Sequence, residues 1–198
     1  MIIGVTGGIA SGKSTVCSIL ESMGFIHIDA DEVAHEVLEL PEVIGEVTSV
    51  FGNEILTASD DHKSPLRIDR KALGKIVFND PAGMETLEKI THPIITRIIS
   101  ERVRNDPEHD YVIEAIALVS SGIYEILDEL WVVYAEPEVQ IRRLIETRNM
   151  SREDAEERLK SQEEHDWNEE NTTRVIYSTE PIETMVQQIR DALKQCYD

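Results

Sequence analysis

The chain has 198 residues, 41% of them hydrophobic and 29% charged, and a formal net charge of −20 at pH 7. That length suits one α/β domain carrying small insertions or a lid. So acidic a balance excludes broad nucleic-acid and anionic-membrane surfaces, which need a basic face, and no run approaches the ~20 apolar residues of a membrane span. The first residues enter an apolar strand directly, so no signal peptide is expected. Cys17 and Cys196 lie far apart and form no metal or redox motif. Cys17 falls in a helical stretch, where a small buried hydrophobe is expected rather than a reactive thiol. A reducing, cytoplasmic setting is the expectation.

The first predicted strand, residues 2–5, runs through Thr6 into Gly7-Gly8-Ile9-Ala10-Ser11-Gly12-Lys13-Ser14-Thr15. Residues 7–14 fit the P-loop pattern G-x-x-x-x-G-K-[ST] without a mismatch, between a strand and a helix-compatible run at 15–23. Gly7, Gly8 and Gly12 permit backbone dihedrals that aim successive N–H groups at phosphate oxygens. A helix opening at Lys13 adds the positive end of its dipole. Lys13 brings a mobile cation to the β- and γ-phosphates, and the Ser14 hydroxyl suits Mg²⁺. The run from Gly8 to Thr15 is therefore read as the binding site of a nucleoside triphosphate.

The second predicted strand, 25–28, delivers Asp29-Ala30-Asp31 to the carboxyl edge of a sheet, where ligands of open α/β folds bind. In-line phosphoryl transfer to an alcohol needs an acceptor for the hydroxyl proton, a role aspartate fills. Two readings stand together: a catalytic carboxylate, with Asp31 preferred, and an N-cap pair for the following helix. Then come about eighty residues of helical periodicity with no strand signal. Its pieces, 31–40, 41–51, 69–78 and 81–104, are broken by loop chemistry at 57–65 and at Asn79-Asp80-Pro81. This reads as a helical substrate-binding insertion.

Strands at 111–118, 130–134 and 174–177 complete five apolar runs, predicting a five-stranded parallel sheet with helices on both faces. Glu114, in the third strand, sits where an acid can orient Mg²⁺ through water, or serve as a strand-end carboxylate with a structural partner. Helices are expected at 137–148, from an N-cap at Ser151, and at 181–195. Arg143, Arg148 and Arg158 have the bidentate geometry to clamp phosphates, whereas Arg142 and Arg152 suit surface pairing with nearby acids. His92, before Pro93, is read either as orienting a substrate group or as a structural hydrogen bonder. Trp131 is expected in the core and Trp167 in a lid. The guanine signature N-K-x-D is absent, and the single D-x-x-G match, at 80–83, falls in a turn between helices.

In this order the motifs resemble the dephospho-CoA kinase family over nearly the whole chain. The resemblance rests on residues 6–15, on Asp29-Ala30-Asp31 with Val33-Ala34, and on Phe51-Gly52 with Ile55-Leu56. Asp69-Arg70 with Leu73, Ile76-Val77-Phe78 and His92-Pro93-Ile94 continue it. Gln140, Arg143, Leu144, Arg148, Ser151, Asp154-Ala155, Arg158 and Gln162 complete it. The resemblance implies ATP-dependent phosphorylation of the ribose 3′-hydroxyl of dephospho-CoA, with ATP and dephospho-CoA as partners and Mg²⁺ as cofactor. It implies a P-loop kinase core at 1–30, 107–148 and 172–198, a helical CoA-binding subdomain at 31–106 and a lid at 149–171. Catalytic roles then fall to Lys13, Asp31, Arg143 and Arg148, and substrate contacts to Asp31, Arg70 and His92. Metal support falls to Ser14, Asp29 and Glu114.

Three segments depart from the family pattern. Ile116-Ala117-Leu118-Val119-Ser120 replaces a P-L-L-F-E run, and His165-Asp166-Trp167-Asn168 stands where a basic residue is common. Ile176-Tyr177-Ser178 replaces I-D-N. Two other classes stay open: another small-molecule P-loop kinase, such as a nucleoside monophosphate kinase, and a non-catalytic nucleotide sensor. The insertion and D-A-D argue against the first. The altered third-strand segment is the support for the second. Oligomeric state is left open.

Overall fold

In a computed structural model, residues 1–58, 66–160, 167–178 and 181–197 are described. The first apolar run is strand β1 (Ile2–Thr6), followed by the glycine-rich loop, helix α1 (Lys13–Ser22) and strand β2 (Ile26–Asp29). Next come α2 (Ala30–Val37), α3 (Pro41–Phe51), the short strands β3 (Leu56–Ala58) and β4 (Leu66–Ile68), α4 (Arg70–Val77) and α5 (Pro81–Asn105). The chain then returns through β5 (Tyr111–Glu114), β6 (Glu129–Tyr134), α6 (Pro137–Arg148), α7 (Arg152–Lys160), β7 (Arg174–Tyr177) and α8 (Ile182–Tyr197). It divides into two compact units, Met1–Asp29 with Val103–Asp198, and Ala30–Arg102.

The five long-range strands form one parallel sheet in the order β2-β5-β1-β6-β7, flanked by helices. This is the predicted sheet. Its physical basis is the two-residue period of the strands. Ile3, Val5, Val112, Trp131, Val133 and Ile176 lie on one face and pack against Val16, Cys17 and Leu20 of α1 and Met185 and Ile189 of α8. Trp131 is fully buried there, as expected of a core residue. β1 is central, with β5 on one side and β6 on the other. The loop after β1 therefore leaves the sheet where the strand order reverses, at the edge where such sheets take ligands.

Two sequence expectations need correction. The insertion after the second strand is not purely helical, because β3 and β4 pair antiparallel, Leu56 opposite Ile68 and Ala58 opposite Leu66. Strands of three residues are too short for alternation to stand out from neighbouring loop chemistry. The expected strand at 111–118 stops at Glu114, which pairs with Val5 of β1 and Asp29 of β2. Beyond that register Ala115 N still donates to Val5 O at 3.2 Å, but the next contact is from the Thr6 side chain, Oγ1 to Ile116 O at 3.1 Å, as β1 runs into the glycine-rich loop, and Ile116 is exposed. Helix α5 runs unbroken through Pro93. Among the described residues, no helix is long and apolar enough to cross a membrane.

The outer strand β7 is fastened to β6 by side chains. Arg174 donates from Nε to Glu129 Oε2 at 2.8 Å and from Nη2 to Glu129 Oε1 at 3.0 Å, and Trp131 Nε1 donates to the same carboxylate at 2.5 Å. Burial pushes the Glu129 carboxyl up, but the bonds from Arg174 and Trp131 outweigh it and hold the group below its usual range. A carboxylate depressed in the folded state stabilises above its unfolded pKa and loses that contribution as pH falls through the folded one. Glu129→Ala is expected to lower the unfolding free energy by about 2–3 kcal/mol at neutral pH, since it strands a half-buried guanidinium and the indole N–H. Urea denaturation checks this. The deficit should narrow as pH falls below the carboxylate range, because the parent then loses the same interaction.

Candidate active site

The loop between β1 and α1 is shaped by its glycines and held by its neighbours. Gly7 has φ +147° and Gly12 φ +107°, both in the region L side chains avoid. A Cβ at Gly7 would meet the Val133 carbonyl oxygen at 2.3 Å, and one at Gly12 would meet Ser178 Oγ at 2.6 Å. Gly8 does not need such freedom; the third left-handed position belongs instead to Ala10, φ +55°. Ser11 N donates to Gly8 O at 3.2 Å, and Thr15 N and Val16 N donate to Gly12 O at 3.1 and 3.2 Å. The helix α1 opens at Lys13, as expected.

The carbonyls of this loop are taken up by cations. Lys13 Nζ donates to Gly7 O at 2.9 Å and Gly8 O at 3.2 Å. Arg143, on α6, donates from Nη1 to Ala10 O at 3.1 Å and Ser11 O at 3.0 Å, and from Nη2 to Ser178 O at 3.5 Å. Its guanidinium is thus committed to main-chain carbonyls. Ile9 of the loop packs against Ile141 and Leu144 of α6 and Ala155 of α7. Arg148, the last residue of α6, and Arg158, on α7, are exposed. Arg152 pairs with Glu138 and Glu156 at 2.6 and 2.8 Å, the surface role expected of it. Ser151 Oγ caps α7, accepting from Asp154 N at 3.0 Å. Of the stretch 149–171 read as a lid, residues 161–166 lie outside the described residues, including His165 and Asp166.

In the first turn of α1, Ser14 Oγ donates to Glu114 Oε1 at 2.9 Å. The other oxygen of Glu114 lies 3.4 Å from His27 Nε2, and His27 Nδ1 lies 3.7 Å from Glu21. Burial pushes Glu114 up, but His27 and Ser14 outweigh it, so the carboxyl titrates below its usual range. Its contact with Glu114 raises the pKa of His27 against burial. The ion pair is therefore strongest above the carboxylate range and weakens as pH rises through the raised histidine pKa. Asp29, half-buried, pairs with Glu114 in the sheet register. A hydroxyl and two carboxylates are the hard-oxygen chemistry that a small divalent cation takes.

Beside the loop, a cavity of about 350 Å³ is lined by Tyr134, Glu136, Arg142, Arg143, Tyr177 and Ser178 among others. The Tyr134 and Tyr177 rings meet edge to face, 5.8 Å apart at 75°. Sequence reasoning missed this cavity; Arg142 lines it while remaining exposed, the surface position expected of it. Nothing in the spacing of Tyr134 and Tyr177 announces that adjacent strand ends bring them together, although the two strands themselves were legible.

The remaining predicted residues belong to the second unit. Asp31 is the second residue of α2 and exposed. Arg70 lines another cavity of about 350 Å³ with His35, Thr57, Arg67, Asp69 and Lys71. Asp69 caps α4, accepting from Lys71 N at 2.9 Å and Ala72 N at 3.1 Å. His92, half-buried on α5, is not among the residues lining that cavity.

A complete P-loop at the switch point of a parallel sheet, with a lysine and a serine–glutamate pair at the start of its helix, defines a P-loop phosphotransferase core. The dephospho-CoA kinase family model matches residues 1–182. A dephospho-CoA kinase of Geobacter metallireducens is 45% identical over 168 residues, 82% of this chain and 80% of its own. One from Moorella thermoacetica is 38% identical over 199 residues, 98% of this chain and 91% of its own. A crystal structure from Thermus thermophilus superposes with a TM-score of 0.78 at 28% identity, covering 98% and 97% of the two chains. The dephospho-CoA kinase of Campylobacter jejuni gives 0.59 at 28% identity, covering 98% and 96%. The chain belongs to the dephospho-CoA kinase family.

Arg143 and Arg148 differ in what they hold, and this is measurable. Arg143→Ala leaves the Ala10 and Ser11 carbonyls without their cation, so binding of an ATP analogue should weaken at least about tenfold, within the 1.5–3 kcal/mol range of charge-assisted bonds. Arg148→Ala should change that affinity less than about twofold. Calorimetric titration of each variant with the analogue decides it; equal losses would contradict a special hold by Arg143.

Proposed function

We propose that the chain transfers the γ-phosphoryl group of ATP to the ribose 3′-hydroxyl of dephospho-CoA, giving coenzyme A and ADP. The observation that carries the proposal is the Ser14–Glu114 hydrogen bond of 2.9 Å at the opening of α1. It sets a hydroxyl and an ionised carboxylate at the mouth of a complete phosphate-binding loop, in a chain of this family.

Ser14, Glu114 and Asp29 offer oxygen donors suited to Mg²⁺. Held there, the ion would supply positive charge to offset the charge that develops on the phosphate oxygens. The loop N–H groups and the α1 dipole cradle the phosphates. Lys13 exchanges its loop carbonyls for the β- and γ-phosphates. Arg143 holds the loop in its binding shape, and Arg148, at the exposed end of α6, supplies a phosphate contact only in the reacting complex. Tyr134, Tyr177 and Arg142 present flat aromatic and guanidinium surfaces to the adenine ring. The acceptor is held by the second unit, where Arg67, Arg70 and Lys71 gather positive charge suited to its diphosphate. His92 is a further acceptor contact.

Asp31 takes the hydroxyl proton. It follows by two residues Asp29, which ends β2 beside Glu114. Strong basicity is not required of it, because proton transfer can trail cleavage of the bond to the leaving ADP in a metaphosphate-like transition state. Orienting the hydroxyl is then the larger part of its work.

The test is a coupled ADP-release assay with dephospho-CoA, nucleoside monophosphates and water as competing acceptors. Only dephospho-CoA should support rapid turnover. Turnover with AMP at a similar rate would overturn the assignment in favour of a nucleoside monophosphate kinase. Lys13→Ala should remove all but a few per cent of kcat/KM while leaving the thermal unfolding temperature unchanged; retention of more than about a tenth, a loss of only ~1.4 kcal/mol, would contradict the role given to Lys13.

Asp31→Asn keeps the shape of the side chain and removes its proton-accepting charge. We expect kcat to fall by about two to four orders of magnitude with ATP affinity little changed. Near-normal turnover in Asp31→Asn alongside a dead Asp29→Asn would reverse the two roles. Activity in both would reduce the segment to a helix cap.

A further inference from the structure

We propose that Cys17, His27 and Glu114 form a second cation site, selective for thiophilic divalent ions such as Zn²⁺, whose occupancy draws Glu114 away from Ser14 and slows phosphoryl transfer. A sulfur, an imidazole nitrogen and a carboxylate oxygen from these three residues lie within 4.8 Å of one another. They come from three different framework elements, α1, β2 and β5. Cys17 follows Ser14 by three residues on α1, which places both on one helix face toward Glu114. His27 shares its face of β2 with Asp29, by strand alternation.

The donor set decides the ion. Mg²⁺ demands oxygen ligands and leaves sulfur and imidazole to softer metals. Cysteine, histidine and a carboxylate are what Zn²⁺ takes, usually in a tetrahedron. With bonds of about 2.0 Å, neighbouring ligand atoms of such a tetrahedron lie about 3.3 Å apart. His27 Nε2 and Glu114 Oε2 are 3.4 Å apart. That edge of the tetrahedron therefore exists already, and His27 Nε2 is buried with no directed hydrogen bond. The buried thiol closes the third corner, losing its proton to water as the sulfur–metal bond forms. With three protein ligands, the fourth position stays open.

Glu114 is where the two cation chemistries compete. One of its oxygens accepts from Ser14 and the other faces His27. A metal on the His27 side recruits the carboxylate and neutralises it, removing its charge from the Ser14 side. This inhibitory half rests on the role given to Glu114 in the proposed reaction; the binding half does not.

The test uses the full chain stripped of metal. Co²⁺ is titrated in and followed by thiolate-to-cobalt charge-transfer absorption, which reports sulfur ligation directly. The band should saturate at one equivalent in the parent and in Cys196→Ser, and be absent in Cys17→Ala. Free Zn²⁺, buffered against excess Mg·ATP, should inhibit dephospho-CoA-dependent ADP release in the parent and need at least tenfold higher concentration in Cys17→Ala. Absence of the band, or its persistence in Cys17→Ala, overturns the site, and equal Zn²⁺ sensitivity of the two chains overturns the coupling. Should Cys17→Ala fail to fold, His27→Gln serves, with at least a tenfold loss of Co²⁺ affinity expected and unchanged affinity overturning the site. A saturating band in a chain without dephospho-CoA-dependent turnover would support the site and overturn the kinase reading. Normal turnover without the band would do the reverse.

Discussion

A chain with 39 acidic and 19 basic side chains must hold two polyanions at once. Long-range charge works against it, so attraction has to come from groups within a few ångströms, inside the screening length of ordinary salt. Main-chain dipoles meet that need without altering net charge. The loop after β1 and the start of α1 offer N–H groups to an anion, and the carbonyls of the same loop need partners of their own. Lys13 takes two of them and Arg143 takes two more. Two of the protein's 19 basic side chains are therefore committed to holding an uncharged anion receptor in shape.

That arrangement links the loop to the helices beyond it. On α6, Ile141 and Leu144 bury themselves against Ile9 while Arg143, between them in sequence, reaches the Ala10 and Ser11 carbonyls. Ala155 brings α7 into the same cluster. A shift of α6 or α7 would move apolar contacts and loop hydrogen bonds together, since packed clusters yield in discrete steps rather than smoothly. Asn149, left-handed at φ +51°, ends α6 directly after Arg148 and so fixes where that side chain leaves the helix.

The sheet and the loop were legible in the sequence because their signals are local. Apolar runs have the period of strands, and the loop's glycines sit where backbone geometry requires them at 7 and 12. Helix α3 is found at 41–51 as read, with Pro41 at its first turn and Gly52 past its end, the usual punctuation. What escaped depends on partners distant in sequence. The end of β5 is set by where β1 turns away, not by Ala115 or Ile116 themselves. Arg143 binds main-chain oxygens, which carry no residue signature. Tyr134 and Tyr177 meet because β6 and β7 pair in register. The cluster of Cys17, His27 and Glu114 has no motif spacing, since three separate elements contribute one residue each.

Glu114 shows what such a meeting point demands. A partly buried carboxylate would drift toward its neutral form unless several donors favour the charge. Ser14 and His27 supply that preference, and the carboxyl titrates below its usual range despite burial. The imidazole that keeps Glu114 ionised beside Ser14 is raised in pKa by the same contact, so each group favours the other's charged form. Yet a carboxylate kept ionised next to an imidazole and a thiol is also the beginning of a soft-metal site. The device that prepares the acid for one cation exposes it to another, and only the buried, protonated state of Cys17 stands between them.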